Sequence, residues 1–127
     1  MIPENFKLLI EKLKLKTVKQ EACWTKTSRD EEFKLDFGNI TILTDNWFHE
    51  IANQQAVDIN IFNQDGEKIE GLILTEEELD FKSLQELHTL AKQSYYKIDE
   101  TFKSIFEELD SNKVIGEKKK HELDDLI

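Results

Sequence analysis

Residues 33–44 read FKLDFGNITILT, and this segment has the pattern of two β-strands joined by a tight turn. From Phe33 to Phe37 apolar residues alternate with charged ones, which is typical of a strand with one buried face. Gly38 and Asn39 separate this run from the next, and a glycine there supplies the positive φ that a two-residue hairpin turn requires. The segment therefore predicts an antiparallel hairpin.

A second hairpin is predicted for residues 57–74. Apolar and polar residues alternate over 57–61, and the sequence NQDG follows at 63–66. Gly66 has the position of the left-handed residue in a type I turn that is followed by a bulge. Because residues 22–27 can add one more strand, we expect an antiparallel meander of four or five strands.

Helical spacing precedes and follows these strands. Pro3 suits the first turn of a helix, and apolar residues recur at steps of three and four as far as Leu13, which predicts an N-terminal helix. The same spacing returns over 81–109 and predicts either one long helix or two helices broken near 96–99, packed on one face of the sheet. Residues 75–78 have the form of a capping box before this helix. A coiled coil is an alternative use of its apolar residues.

The sequence thus predicts an α+β fold with an N-terminal helix, a meander and a long C-terminal helix, either continuous or broken. One domain is expected over residues 1–110, and a charged, mobile tail over 111–127. Residues 45–55 have the least regular pattern. We interpret them as a long connection between the two hairpins that either extends a strand or forms a helical turn.

The charge balance opposes binding to nucleic acid. The chain has 127 residues, with 17 basic and 27 acidic side chains and a net charge of −10, whereas phosphate contacts require an excess of Lys and Arg. Residues 58–110 contain fourteen of the acids and five lysines, and Arg29 is the only arginine. Such a surface fits a basic protein partner, although it also serves solubility alone.

The expected location is the cytoplasm. No apolar run approaches the roughly 20 residues of a membrane-spanning helix, so no membrane association is expected, and residues 1–5 lack the pattern of a secretion signal. Cys23 is the single cysteine and cannot form an internal disulfide. Its position among strand-like residues predicts a small buried hydrophobic side chain rather than a nucleophile.

The sequence offers no pattern for catalysis, a cofactor or a metal. The four glycines are scattered, so no phosphate-binding loop can be recognised. Cys23, His49, His88 and His121 lie far apart, which disfavours a zinc site and a cysteine–histidine nucleophile. We therefore expect that the chain is not an enzyme.

Some aromatic and acidic residues remain as candidates for recognition. The aromatic candidates lie in the irregular segment or are adjacent in the C-terminal helix, where neighbours cannot share one face. The acidic candidates follow them in the same helix. The candidate interaction surface consists of Trp47, Phe48, Tyr95, Tyr96, Glu100, Glu107 and Glu108.

The leading hypothesis for function is a non-enzymatic protein-interaction module that binds a protein partner. The more specific form of this hypothesis is a basic partner. A homodimer is an alternative. A more specific alternative is an acidic immunity or inhibitor protein that blocks a basic toxin or nuclease. A third is a small-molecule-binding or catalytic domain that uses residues 47–49.

Overall fold

A computed structural model describes residues 2–116 of the chain. Contacts between Cα atoms divide the chain into two compact units, the first ending at Tyr96 and the second beginning at Lys97. Most of the predicted tail lies outside the described residues. The helices and strands are α1 (Glu4–Val18), β1 (Thr25–Lys26), β2 (Glu32–Asp36), β3 (Ile40–His49), β4 (Gln54–Asn63), β5 (Lys68–Thr75), α2 (Phe81–Tyr96) and α3 (Ile98–Asp110).

The five strands form one sheet in the order β1-β2-β3-β4-β5, and each pairs with its neighbour in antiparallel fashion. The α+β class and the meander are confirmed. The first predicted hairpin turn is also confirmed, because Gly38 has a φ of 79° and the Phe37 N–H donates to the Ile40 carbonyl at 2.7 Å. Gly66 has a φ of 81°, as the second turn requires.

The irregular segment extends a strand. β3 continues to His49 and pairs with β4 through Trp47–Ala56 and His49–Gln54, so only a four-residue turn separates the two strands. The expected long connection is therefore absent from the described chain. Alternation failed as a signal here because Thr44 and the next residue, Asp45, are both buried, although they point to opposite faces of the sheet.

The hydrophobic core lies between the sheet and the helices of the first unit. Alternate strand residues such as Phe33, Val57 and Ile59 share one cluster with Leu84 and Leu87 of α2. All five are fully buried. We call the sheet surface that carries the other strand residues, which faces away from α1 and α2, the outer face.

Helix α1 packs against α2 and completes this layer. Its buried residues are Phe6, Ile10, Leu13 and Thr17, which recur at steps of three and four as predicted. The Lys14 ammonium donates to the Ser83 hydroxyl at 2.8 Å and joins the two helices at their surface. None of the described helices is long and apolar enough to cross a membrane.

The C-terminal helix is broken into two. Lys97 separates α2 from α3 and has the left-handed conformation, with a φ of 52° and a ψ of 48°. It takes the N-cap position, and Asp99 lies in the first turn of α3. The carboxylate of Glu78 accepts a bond from the Thr75 N–H at 3.1 Å, as in a capping box, but α2 begins only at Phe81.

Candidate interaction site

Helix α3 contains no buried residue, although it is the most strongly amphipathic of the three helices. Its four large apolar residues on one side have between 45% and 58% of their surface exposed. Amphipathic helices ordinarily bury such a stripe against a core or a partner. We call these residues the α3 apolar stripe: Phe102, Ile105, Phe106 and Leu109.

The stripe is continuous along the helix. Its members follow one another at three- and four-residue steps, and a rotation of about 100° per residue keeps them on one side of the helix. The rings of Phe102 and Phe106 lie with centroids 6.0 Å apart, within the range of an aromatic pair. Together these side chains form one apolar surface rather than isolated exposed residues.

Carboxylates border this stripe. Five acidic residues and one lysine give α3 a charge of −4. The helical rotation places Asp99 and Asp110 along one side of the stripe and Glu108 along the other, whereas Glu100 and Glu107 lie on the opposite face. Of the predicted candidates in α3, only Glu108 therefore lies beside the apolar surface, and it also forms an ion pair of 3.2 Å with Lys113.

The rings of Tyr95 and Tyr96 pack together in the structure. This differs from the expectation that adjacent residues of a helix do not share one face. Their ring centroids lie 4.8 Å apart in an edge-to-face arrangement, and both rings also pack near Phe33, at 5.8 and 6.2 Å. Two neighbours can converge here because α2 ends at Tyr96. Both side chains are partly exposed, so their tips are accessible while the rings support the core.

Trp47 and Phe48 point to opposite sides of β3 because strand residues alternate. Trp47 lies on the outer face, where its indole Nε1 donates to a carboxylate oxygen of Asp58 at 3.0 Å and its ring stacks on His49 at 5.2 Å. Phe48 is 53% exposed at the end of the strand. Trp47 is therefore half-buried in a polar network, and Phe48 is the accessible aromatic residue of the pair.

A row of three carboxylates crosses the outer face. The strand register pairs Glu32 with Asp45 and Asp45 with Asp58. Like charges in such neighbouring positions repel, and this row is compensated by local partners. The guanidinium of Arg29 lies 3.0 Å from Asp45, and the Thr27 hydroxyl donates to Glu32 at 2.8 Å.

Burial shifts the titration of Asp58 and Asp45. It raises the pKa of Asp58 to about 6, and the hydrogen bond from Trp47 offsets part of that shift. The pKa of Asp45 is also raised, mainly by burial, with Arg29 acting in the opposite direction. Both carboxylates already have partners within the sheet, so their geometry explains strand packing and carries no argument for catalysis.

One further accessible group lies at the end of the sheet. Ile51 in the β3–β4 turn is 95% exposed, and Leu79 in the loop after β5 is 92% exposed. The loop is joined to β4 through Gln55, whose carbonyl accepts a bond from the Glu76 N–H at 3.1 Å. Sequence reasoning missed this group because its members come from two distant loops and only the strand pairing brings those loops together.

The side chains that could take part in catalysis or metal binding do not come together in the described residues. Cys23 is exposed, contrary to expectation, because its neighbours Ala22 and Trp24 both turn into the core. His88 is one of the buried residues of α2, and its Nε2 lies 2.6 Å from the Glu31 carbonyl. Within residues 2–116 no three His, Cys, Asp or Glu side chains are grouped closely enough to hold a metal ion.

The accessible features of the described chain are thus apolar or aromatic side chains with carboxylates beside them, and the α3 apolar stripe is the most continuous. Surfaces of this composition are suited to recognition of a protein segment. No protein-family model, no curated protein and no solved structure matches the chain.

Proposed function

We propose that this chain is a non-enzymatic protein-interaction module whose helix α3 binds a basic, amphipathic segment of a protein partner. The observation that carries the proposal is the exposed α3 apolar stripe, in a helix without a single buried residue. A cytoplasmic location is part of the proposal, since the acidic composition and the single free cysteine are compatible with a reducing compartment.

The apolar part of the recognition is supported by the size of the exposed side chains. Phe102, Ile105, Phe106 and Leu109 are all large, and burial of one such side chain contributes about 1.5–3 kcal/mol. Amphipathic helices that bind in grooves use anchors at this same spacing. A partner with a complementary apolar face would cover the surface that the described chain leaves in water.

The charged part of the recognition follows from the border of the stripe. Asp99, Glu108 and Asp110 lie beside it, and the helix as a whole has a charge of −4. Lysine or arginine residues that flank the apolar anchors of a partner would meet these carboxylates, which favours rapid association and a defined orientation. Two α3 helices would bring like charges together, so a basic partner is favoured over self-association through this helix.

The test compares two double variants of α3 as baits in a native lysate. Phe102→Ser with Phe106→Ser removes the centre of the stripe, and the matched control Thr101→Ala with Ser104→Ala changes side chains outside it. We expect wild-type and control baits to retain the same protein, through a segment rich in Lys or Arg and apolar residues, and the Phe double variant to lose at least tenfold of it. Equal retention by both variants would refute the role of α3.

Salt dependence and carboxylate variants test the charged part separately. Asp99→Asn with Asp110→Asn should weaken binding more than Glu100→Gln with Glu107→Gln, because only the first pair borders the stripe. Binding should also decrease as salt increases. A lysate that repeatedly returns only a small metabolite would contradict an interaction module.

A second candidate function is an acidic inhibitor or immunity protein for a basic toxin or nuclease. It is favoured by the end of the sheet, where Ile51 and Leu79 are exposed and the carboxylates Glu76 and Glu77 precede Leu79 in the same loop. Under this alternative, Leu79→Ser would abolish inhibition of a basic enzyme while the Phe102 and Phe106 double variant would retain it. The opposite result would favour α3 as the binding element.

A further inference from the structure

Strand β5 leaves one of its two sides without a strand. It is the last strand in the order β1-β2-β3-β4-β5, and β4 occupies its other side. Its outer part is open to solvent, with Ile69 52% and Ile73 49% exposed and Gly71 also exposed. An open edge of this kind presents backbone N–H and C=O groups that another strand can bind.

The hydrogen bonds at the end of β5 reveal which residues direct their backbone groups to the open side. The Glu76 N–H donates to the Gln55 carbonyl of β4 at 3.1 Å, which continues the β4–β5 register. In an antiparallel ladder alternate residues bond to one neighbour. Leu72 and Leu74 therefore bond to β4, whereas the odd-numbered residues from Gly71 onward direct their N–H and C=O groups outward.

Two of the outward-directed positions are not available for a partner. Thr75 is occupied, since its N–H donates to the Glu78 carboxylate at 3.1 Å and its carbonyl accepts from the Glu78 N–H at 2.9 Å. Ile69 lies in the irregularity where the register shifts opposite Ile61 and Phe62. Within residues 2–116, Gly71 and Ile73 are left as regular positions whose outward backbone groups make no hydrogen bond.

We propose that β5 pairs antiparallel with β5 of a second copy of this chain, with Gly71 of each copy opposite Ile73 of the other. The positions of the free groups select this register. A pairing centred on Gly71 would require the irregular Ile69, and one centred on Ile73 would require the occupied Thr75. Only a pairing centred on Leu72 uses both free residues, and there Gly71 and Ile73 exchange N–H···O=C bonds across both halves of the symmetric contact.

The side chains agree with this register. Ile73 lies opposite a glycine, which offers no Cβ to obstruct it. The side chains of Asn60 and Lys68 fill the place where a Cβ of Gly71 would lie, so the flexible lysine has to turn aside for the isoleucine. Leu72 of one copy meets Leu72 of the other at the axis, on the face toward the helices. Glu70 lies opposite Leu74, so no like charges face each other. Facing like charges would destabilise a strand pair. The two sheets would become one continuous sheet.

Cysteine cross-linking tests the register directly. In a Cys23→Ser background, Leu72→Cys places two thiols at the symmetry axis, where facing Cβ atoms of a non-hydrogen-bonded pair lie about 4.5–5.5 Å apart. This spacing approaches the range that a disulfide accepts. Glu70→Cys and Ile73→Cys in the same background are matched controls, because in this register each lies opposite a different residue.

We expect the Leu72→Cys protein to form a disulfide-linked dimer under mild oxidation at least tenfold faster than either control. If a control cross-links as fast, or if the Leu72→Cys protein keeps its circular dichroism spectrum and stays uncrosslinked, the register is refuted. If the Leu72→Cys protein does not fold, the pairing is tested by sedimentation and by amide hydrogen exchange of the unaltered protein.

Sedimentation of the unaltered protein provides the first of these. Its average mass should rise toward twice the monomer mass with concentration, and a monomer at every concentration up to about 1 mM would overturn the proposal. Ile73→Pro should stay monomeric while remaining folded, since proline is tolerated on edge strands where the N–H points to solvent.

Amide hydrogen exchange provides the second and needs no variant. Protection of the Gly71 and Ile73 amides should increase with protein concentration, whereas the Leu74 amide, which bonds to β4, should be protected throughout. Exchange at Gly71 and Ile73 that is independent of concentration would refute the pairing.

Discussion

Asp45 and Asp58 lie opposite each other on neighbouring strands, and both are almost completely buried. Each is held by a different kind of partner: Asp45 by the guanidinium of Arg29 at 3.0 Å, and Asp58 by the indole of Trp47 at 3.0 Å. Among the described residues no cation forms an ion pair with Asp58, and burial raises its pKa to about 6. The sheet tolerates a carboxylate there at a cost in stability.

We expect Asp58→Asn to stabilise the protein at pH 7 by about 1–2 kcal/mol. The rise in the pKa of Asp58 from 3.8 to about 6 corresponds to roughly 3 kcal/mol, which is the upper limit of this gain. The amide can still accept the bond from Trp47. In the native sheet the Asn60 amide nitrogen donates to the other Asp58 oxygen at 3.2 Å, and if the Asn60 amide turns over, its buried oxygen, which has no partner within the described chain, can accept from the new amide. Urea unfolding measures the change. The exposed turn variant Asp65→Asn is the control, and an equal gain there would contradict the explanation.

The same carboxylate predicts a pH dependence. The pKa of Asp58 is about 6 in the folded state and 3.8 without burial. Between pH 3.8 and pH 6 the folded protein therefore binds a proton at Asp58 that the unfolded protein does not. The contribution of Asp58 to stability is therefore complete below pH 3.8 and is lost as the pH rises through 6. In urea unfolding at pH 5 and pH 7, the stability gained at the lower pH should be smaller for Asp58→Asn than for wild type. Identical pH profiles would refute the assignment.

His88 should show the opposite dependence. Burial lowers its pKa below 6.5, and the neutral ring donates from Nε2 to the Glu31 carbonyl. The unfolded state therefore takes up a proton first as the pH falls, so stability decreases below pH 6.5. NMR titration of the His88 ring in an Asp58→Asn background measures the shift, with His88→Gln unfolding curves for comparison. A ring that titrates at or above 6.5 would contradict this prediction.

Thr17→Val should destabilise the first unit by about 1–3 kcal/mol, because it removes a hydroxyl with two buried bonds. The hydroxyl donates to the Leu13 carbonyl at 2.7 Å and accepts from the indole of Trp24 at 3.0 Å. Thermal unfolding compares this variant with Thr25→Val at an exposed position. Equal costs at the two positions would show that the bond to Trp24 contributes nothing.

The two C-terminal helices should differ in their contribution to stability. Leu84→Ala in α2 should cost about 2–5 kcal/mol because this side chain is fully buried. The Phe102→Ser and Phe106→Ser double variant in α3 should leave the unfolding midpoint of the first unit nearly unchanged, since α3 has no buried residue. A loss of several kcal/mol in the double variant would mean that the stripe supports the fold rather than a partner.

Local patterns were sufficient to predict most of the first unit. Alternation from Phe33 onward and the glycines at positions 38 and 66 predicted both hairpins. A glycine with positive φ directly after an alternating run is typical of a hairpin turn. The pattern failed over residues 45–55. There the polar Asp45 is buried whereas the apolar Phe48 is exposed, so polarity no longer alternates with burial as it does in a half-buried strand.

The candidate surface was predicted less well than the fold. Trp47 and Phe48 were grouped because they are adjacent in the sequence, yet a strand sends them to opposite faces. Glu100 and Glu107 were selected for their charge, and helical rotation places them away from the α3 apolar stripe. Exposure of the stripe itself was not predicted, because the same spacing also describes a helix that covers a sheet.

The amino-acid sequence by itself determined the order of helices and strands, the two glycine turns and the acidic balance, because these depend on residues a few positions apart. Only the tertiary structure decided which apolar helix enters the core, which carboxylates become neighbours and which strand edge stays open. Those outcomes depend on contacts between distant segments. Helix α2 covers the sheet, whereas Lys97 ends that helix and α3 begins a second unit, and the large apolar side chains of α3 are exposed.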